Sequence, residues 1–408
     1  MQNPLGSRVR ILLLLLFSLV CNTLLAQENL ATRLDNLFAR NSELNNRIQV
    51  ALCVYDLTAD SMLYARGERQ TMRPASNMKL ITAIAALDFL GSDYNFTLKY
   101  SLDTARIDSL GVLHDRLYIR GGMNPMISRD DLERIAERVA RLGVKEIRHG
   151  FCYDNSFKDS KHWGEGWCWD DDSETNPELV PLLYKGTGSF DDALFLAMSH
   201  HNVKVIGRST QGAAPSSANT GFWLATPVSE VLIPMMKQSD NLMAESLFYQ
   251  MAYREGGNYS GRKEASRVIE RLVSRIGLNP DDYYFADGSG VSLYNYASPQ
   301  LLVSLLKYAY KNKKIYNTLL PSLPKAGEDG TLAKRMNNSS CVGRIQAKTG
   351  TVTGASTLSG YATTANGHRL CFSIMCQGQQ KAKIARDFQD QICAELVRPQ
   401  QPAHDILY

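Results

Sequence analysis

Arg73-Pro74-Ala75-Ser76-Asn77-Met78-Lys79 runs directly into the apolar stretch Leu80-Ile81-Thr82-Ala83-Ile84-Ala85-Ala86-Leu87-Asp88-Phe89-Leu90, and the reading of this junction decides the fold. Proline is accepted at a helix edge but not inside one, and the alanine, leucine and methionine that follow favour helix, which predicts Ser76 in the first turn. Residues three apart on a helix are neighbours, so Ser76 and Lys79 share a face. Free backbone N–H groups add a positive potential there, and the lysine amine can reach the hydroxyl. That is the arrangement of a serine nucleophile with a lysine base.

The spacing is common and proves nothing alone, since Ser260/Lys263, Ser304/Lys307 and Ser322/Lys325 share it. Pro324 excludes a first helical turn for the last pair. The amphipathic run Leu301 to Tyr310 predicts a solvated Lys307. Ser260/Lys263 can open a helix, so downstream partners must decide. Ser239-Asp240-Asn241 precedes the helical stretch Leu242 to Phe248, and Lys348-Thr349-Gly350-Thr351 is expected to close a strand over Val342 to Ala347. Ser217/Asn219 repeats the Ser-x-Asn pattern in a loop-like run, but Lys-Thr-Gly occurs once. No Ser-x-Asn lies between Ser260 and Lys348, so only Ser76 heads the full ordered set. Taken singly, Ser239 reads as an N-cap, Asn241 as a turn former and Lys348 as a solvated strand-end lysine. Their ordered coincidence is the signature of class A β-lactamases and penicillin-binding proteins.

The chemistry explains the residue types. A serine hydroxyl needs a base within reach, and an ordinary lysine is protonated. Burial and a facing Lys348 would both favour a neutral Lys79, which could then take the proton of Ser76. Ser239 would relay that proton to the leaving amine, and Asn241 would hold Lys79 and the substrate amide. Lys348 and Thr349 would bind a substrate carboxylate. The backbone N–H groups of Ser76 and Thr351, flanking Gly350, would form the oxyanion hole. An acyl-serine route of this kind needs no metal and no cofactor.

At 408 residues the chain is long enough for two or three domains. Its net charge is +4, of which Arg8 and Arg10 lie in the leader, leaving +2, so no electrostatic case exists for nucleic acid. Arg8, Arg10, the apolar run Ile11 to Val20 and the small and polar residues up to Ala26 read as a secretory signal, residues 1–26, too short to span a bilayer. Export to the periplasm follows. An uncleaved anchor, with peripheral membrane contact, and lipidation at Cys21 are the alternatives, although bulky Val20 counts against the latter. Seven cysteines remain beyond the leader and cannot all pair. Cys371 and Cys376 should face opposite sides of a strand, and no spacing resembles a zinc site, so buried small apolar residue is the main reading. Cys152 with Cys168 is the one pair to test.

Leu30 to Leu44 reads as an amphipathic helix, and Gln49 to Asp56 with Ser61 to Ala65 as a hairpin. Short β-like pieces follow (Thr97 to Leu102, Arg116 to Arg120), then a helix Asp130 to Leu142. His162 to Asp172 holds three of the four tryptophans and reads as a loop anchored by aromatic burial, with a cleft wall as the second reading. Helices are expected over Leu242 to Arg254, Lys263 to Ile276 and Ser298 to Tyr310, and strands over Cys341 to Ala347, Ala355 to Thr363 and Arg369 to Cys376. Asn366-Gly367 is a hairpin signal between the last two strands, and Gln380 to Leu396 closes the chain as a helix. Strands at both ends around a helical middle imply an α+β fold, one antiparallel sheet flanked by helices with the nucleophile helix behind. Because the changed region lies between Ser76 and Ser239, it is expected to be inserted: 27–95 and 226–408 form the catalytic domain, and 96–225 a smaller inserted one.

The chain resembles the S13 peptidase family of D-alanyl-D-alanine carboxypeptidases/endopeptidases, the group that includes penicillin-binding protein 4. Beside the three motifs, Asp287-Gly288-Ser289-Gly290-Val291-Ser292 is similar to the family's Asp-Gly-Ser-Gly-Leu-Ser, and Leu323 to Leu332 to its Leu-Pro-x-x-Gly-x-x-Gly-Thr-Leu. The resemblance implies a penicillin-binding/β-lactamase-like fold, cleavage of D-Ala-D-Ala in peptidoglycan stem peptides, and β-lactams as covalent inhibitors. Leu293 stands where the family usually has arginine, and Gly121-Gly122-Met123-Asn124-Pro125 departs from its Gly-Gly-Gly-Asp-Pro. A class A β-lactamase would need a deacylating glutamate. The look-alike Asn176-Pro177-Glu178-Leu179 precedes Ser239 and carries asparagine at that position, which disfavours fast β-lactam hydrolysis. The intact set Ser76, Lys79, Ser239, Asn241 and Lys348 argues against a silent peptidoglycan-binding homologue.

Overall fold

The computed structural model describes residues 29–171, 176–218, 220–337 and 339–400. The leader lies outside these. The chain's two ends build one five-stranded sheet in the order Ile345–Val352, Ala355–Thr363, Arg369–Gln377, Gln49–Asp56, Ser61–Arg66. All four pairings are antiparallel. The central strand Arg369–Gln377 is apolar on both faces because both are covered. Leu370, Phe372, Ile374 and Cys376 enter one core, Cys371 and Met375 the other. Cys371 and Cys376 thus face apart, as the spacing predicts.

On the first face lie the terminal helices Leu30–Arg40 and Ala382–Leu396, whose Phe38 and Phe388 rings meet edge-on at 5.3 Å. The second face carries the buried helix Met78–Phe89, backed by Asn241–Gly256, Arg262–Arg275 and Pro299–Lys311. Met78–Phe89 is buried nearly all round, which explains its uninterrupted apolar sequence. Gly367 turns the last hairpin at φ 88, a conformation glycine adopts without strain.

The segment between these halves forms a second sheet, in the order Thr220–Pro227, Asn95–Leu102, Leu117–Arg120, Phe151–Asp154, Thr210–Gln211. Its first two pairings are antiparallel and its last two parallel. Three two-residue strands make a small parallel sheet beside it. Leu98, Tyr100, Leu117, Ile119 and Phe151 pack from one face of the second sheet against helices Arg129–Arg141 and Phe190–His200. Its other face carries no helix of this core.

Several expectations need correction. The first helix stops at Arg40, where the Asn41 side chain donates to Leu37 O at 2.9 Å and a separate turn Ser42–Asn45 follows. Lys348-Thr349-Gly350 lies inside the strand Ile345–Val352, not after it. Lys307 is not simply solvated: its Nζ pairs with Asp60 at 3.2 Å and lies over the Tyr55 ring. Cys152 and Cys168 are both free thiols. No helix among the described residues is long and apolar enough to cross a membrane.

Phe388 is 1% exposed in the core under the terminal helices. Phe388→Ala should cost about 3–5 kcal/mol, read from the urea unfolding midpoint.

Candidate active site

The nucleophile turn is fixed by its neighbours. A 3-10 turn Ala75–Asn77 runs into the helix Met78–Phe89, with Ala75 at φ 46. Thr357 Oγ1 donates to Pro74 O at 2.8 Å, and Asn77 Nδ2 to Lys348 O at 2.9 Å, so the turn is tied to the sheet on both sides of Ser76. Gly290 presses on it from the other side: a Cβ there would lie 1.9 Å from Ala75 O. A left-handed alanine is strained and persists only where its surroundings over-determine it. Ser76 stays half-buried, open on one side.

Lys79 Nζ lies 3.0 Å from Ser76 Oγ, 2.6 Å from Asn241 Oδ1 and 2.8 Å from Ser289 O. Asn241 is the first residue of its helix, and Asp240 caps it by accepting from Met243 N at 2.9 Å. Ser239 is therefore not the N-cap. At φ 63 its backbone turns the side chain to Lys348, whose Nζ lies 2.8 Å from Ser239 Oγ and 2.7 Å from Thr349 O. Ser76, Lys79, Ser239, Asn241 and Lys348 thus form one connected cluster.

Burial brings the Lys79 amine down to about 8, while the charges of Asp287, Glu245 and Asp240 pull it back up. Lys348 is held well below the usual lysine range, first by burial and then by Lys79. Burial is the largest cause of the depression at both amines, and the repulsion between two ammonium groups, being mutual, disfavours charging both at once.

The rest of the Lys-Thr-Gly segment divides. Thr349 Oγ1 bonds Thr331 Oγ1 at 2.8 Å. Gly350 faces the nucleophile turn, a Cβ there lying 3.0 Å from Ser76 N and 2.2 Å from Thr357 Oγ1. Thr351 is exposed, and its hydroxyl accepts from Arg386 at 3.1 Å, so its side chain points away from Ser76. The decoy serines are occupied elsewhere: Ser260 Oγ donates to Gly257 O and Ser322 Oγ to Leu319 O.

Three contributors escaped the sequence reading. Asn176 Oδ1 accepts from Asn241 Nδ2 at 2.7 Å, which orients the Asn241 carbonyl oxygen toward Lys79. Although it precedes Ser239 in the chain, Asn176 reaches the site, and as an amide it offers no carboxylate. Glu245, one turn beyond Asn241, accepts from Gly288 N at 3.0 Å and Ser289 N at 2.8 Å. Burial, with Asp287 beside it, pushes its carboxyl up to about 8, while the hydrogen bonds from Ser289 and Gly288 pull it down. A charged residue inside the apolar run Leu242 to Phe248 was the signal for it. The third is the Ser289 carbonyl, aimed at Lys79 by a turn around Asp287, which accepts from Gly290 N at 2.8 Å, Ser292 N at 2.7 Å and Asn295 Nδ2 at 2.7 Å.

The tryptophan loop is anchored through one of its three rings. Trp167 Nε1 donates to Asp287 Oδ2 at 2.9 Å and anchors the loop to that turn, whereas Trp169 is 91% exposed and anchors nothing. Farther along, the same segment delivers Asn176. Leu293 N donates to Gly166 O at 3.4 Å, so the residue in the arginine position of the motif backs this loop.

A two-faced antiparallel sheet with a buried helix bearing serine and lysine defines the class, that of penicillin-binding serine peptidases. The D-Ala-D-Ala carboxypeptidase 3 (S13) family profile matches residues 30–177 and 198–397, and the chain belongs to this family. It is a serine-type D-Ala-D-Ala carboxypeptidase. A D-alanyl-D-alanine carboxypeptidase of an Actinomadura species is 28% identical over 420 residues, covering 80% of this chain and 77% of that one. The crystal structure of penicillin-binding protein 4 from Haemophilus influenzae superposes with a TM-score of 0.76 at 20% identity, over 88% of this chain and 99% of that one. The same Haemophilus protein complexed with a β-lactam superposes at 0.70 and 19% identity, over 88% and 99%.

Gly290→Ala tests the constraint on the nucleophile turn. The added methyl must displace Ala75, so D-alanine release should fall about a hundredfold at unchanged circular dichroism.

Proposed function

We propose that Ser76 is the acylated nucleophile and Lys79 its base, within a catalytic domain of residues 27–95 and 226–408 that carries 96–225 as an insertion. The observation that carries this is the environment of Lys79 Nζ. Asn241 Oδ1 and Ser289 O are pure acceptors, and a neutral amine has two hydrogens and one lone pair. Its hydrogens are used on those two oxygens, which leaves the lone pair directed at the Ser76 hydroxyl 3.0 Å away.

Ser76 Oγ attacks the carbonyl of the D-Ala-D-Ala peptide bond while its proton passes to Lys79 Nζ. The carbonyl oxygen becomes an oxyanion facing the N–H groups of Ser76 and Thr351. As the C–N bond breaks, Ser239 hands its hydroxyl proton to the departing D-alanine nitrogen and takes up in turn the proton that Lys79 removed from Ser76, so that Lys79 and Ser239 both return to their starting states. Asn241 keeps Lys79 in register, itself held by Asn176. Lys348 and Thr349 receive the terminal carboxylate. Because burial and Lys79 disfavour an ammonium at Lys348, arrival of that anion supplies the missing counter-charge and favours its uptake of a proton. Water then attacks the acyl ester and restores Ser76. Gly350 stays small so that strand and nucleophile turn can touch.

The same attack on a β-lactam carbonyl opens the ring without releasing a leaving group, which makes β-lactams covalent inhibitors. The opened ring stays attached to the acyl group in the place that departing D-alanine would vacate for water, and Asn176 offers no carboxylate to activate that water, so the adduct persists. The substrates are peptidoglycan stem peptides, and a periplasmic location fits both this substrate and the leader.

In Ser76→Ala, D-alanine release from a pentapeptide should fall on the order of a thousandfold or more, and the benzylpenicillin adduct should vanish from the intact mass spectrum. Retained release would overturn the assignment. The pH profile follows from Lys79: below about 8 its amine is protonated and cannot accept the serine proton, so kcat/KM should climb with pH and level off above that value. A profile flat from pH 6 to 9 would remove Lys79 from the role of base.

A further inference from the structure

The second sheet buries one face under two helices; its other face is covered in part, where Tyr253 and Asn258 lie against Arg120 and Cys152 is buried beside Gly212, and is otherwise open and chemically organised. Register places Trp223, Lys99, Arg120 and Asp154 side by side across four strands. The next row is Gly221, Ser101, Tyr118 and Cys152. At a strand spacing of roughly 4.8 Å, each row spans about 14 Å. Trp223 is 68% exposed. Arg120 lies 3.5 Å from Asp154 and bonds Tyr253 Oη at 3.2 Å and Asn258 Oδ1. Lys99 has no ion-pair partner among the described residues.

The rows floor a cavity of about 610 Å³, closed at one end by Asn258 and Tyr259. A second cavity of about 550 Å³ shares Asp154, Ser156, Ala213 and Tyr259 with the first and continues to His162, Leu179 and Val180. It therefore leads from the open part of that face to the segment whose Asn176 touches Asn241. Tyr259 stands where the two cavities meet. It is 71% exposed and sits at φ 62, pinned by its N–H donating to Ser156 O at 2.7 Å. A bulky residue in the left-handed region is a backbone outlier, and here no buried packing repays the strain.

We propose that this groove binds the glycan strand of peptidoglycan. The proposal rests on the stem-peptide reading above. Pyranose rings present flat C–H faces with hydroxyl and acetamido groups at their edges. Exposed indole and phenol rings beside a row of short-range donors and acceptors match that chemistry. Both charge signs are present and Arg120 is already paired, so the surface does not suit a polyanion. Stem peptides hang from a sugar strand, and holding the strand raises the local concentration of the stem at the nucleophile.

The test is co-sedimentation of the full chain with beads that carry covalently attached glycan strands stripped of their peptides by an amidase. Wild type should sediment, while Trp223→Ala and Tyr259→Gly should each weaken retention about tenfold. Tyr259→Gly relieves the strained φ, so its melting temperature should hold or rise, which separates lost binding from misfolding. Both variants should hydrolyse a sugar-free pentapeptide like wild type and lose rate only on glycan-attached stems. The proposal is overturned if wild type ignores stripped glycan, if the variants sediment as wild type does, or if sugar-free pentapeptide displaces the glycan. Failure of wild type to hydrolyse any pentapeptide would instead strike the stem-peptide reading, since glycan retention is measured without turnover.

Discussion

Everything at the site depends on one desolvated amine. Lys79 is fully buried, yet its Nζ meets three segments far apart in the chain: Ser76 three residues earlier, Asn241 at a helix start and the Ser289 carbonyl in a turn. Burial takes the charged form away from water and so favours the base. The opposing acids keep the depression moderate, and an amine near 8 keeps enough proton affinity to strip a hydroxyl while retaining a neutral fraction at physiological pH. A deeper depression would make it a weaker base, and a solvated lysine would not be a base at all.

The architecture serves that balance. The sheet is covered on both faces, and the turn bearing Ser76 is tied to the edge strand Ile345–Val352 through Asn77 and to its neighbour Ala355–Thr363 through Thr357. Backbone strain concentrates where precision is needed: Ala75 precedes the nucleophile and Ser239 faces Lys348, both in the left-handed region. Glu245 and Asp287 touch neither the serine nor its lysine by hydrogen bond. They hold the turn that aims Ser289 O, so the polar network under the site extends one layer deeper than its reactive groups.

The second sheet follows a different logic. Covered by two helices on one face and only in part on the other, it spends its hydrophobic side on its own core and keeps rings and charges outward. The helix that begins with Asn241 ends one residue before Gly257, from which the chain passes directly to Asn258 and Tyr259 at that outward face. One rigid element thus joins the reacting groups to the groove.

Local rules fix what lies within a few residues. The Ser76–Lys79 pairing follows from helical spacing, the Asn366-Gly367 hairpin from turn chemistry, and the separation of Cys371 from Cys376 from the two-residue period of a strand. The order of the three motifs also singled out Ser76 among four candidate pairs, because only one serine has both partners downstream, and that pair is the one placed beside Asn241. Proximity between distant segments obeys no such rule. That Asn176 orients Asn241, that Glu245 supports the Ser289 turn, that Ser239 leaves the N-cap to Asp240, and that burial outweighs every nearby charge at Lys79 and Lys348 were set by packing, which depends on the whole chain at once. Sequence determined the three motifs proposed to react and the type of fold; the tertiary structure decided which side chains meet, how burial shifts the two lysines and which residues hold them, because desolvation and long-range hydrogen bonds exist only once the chain has closed around them.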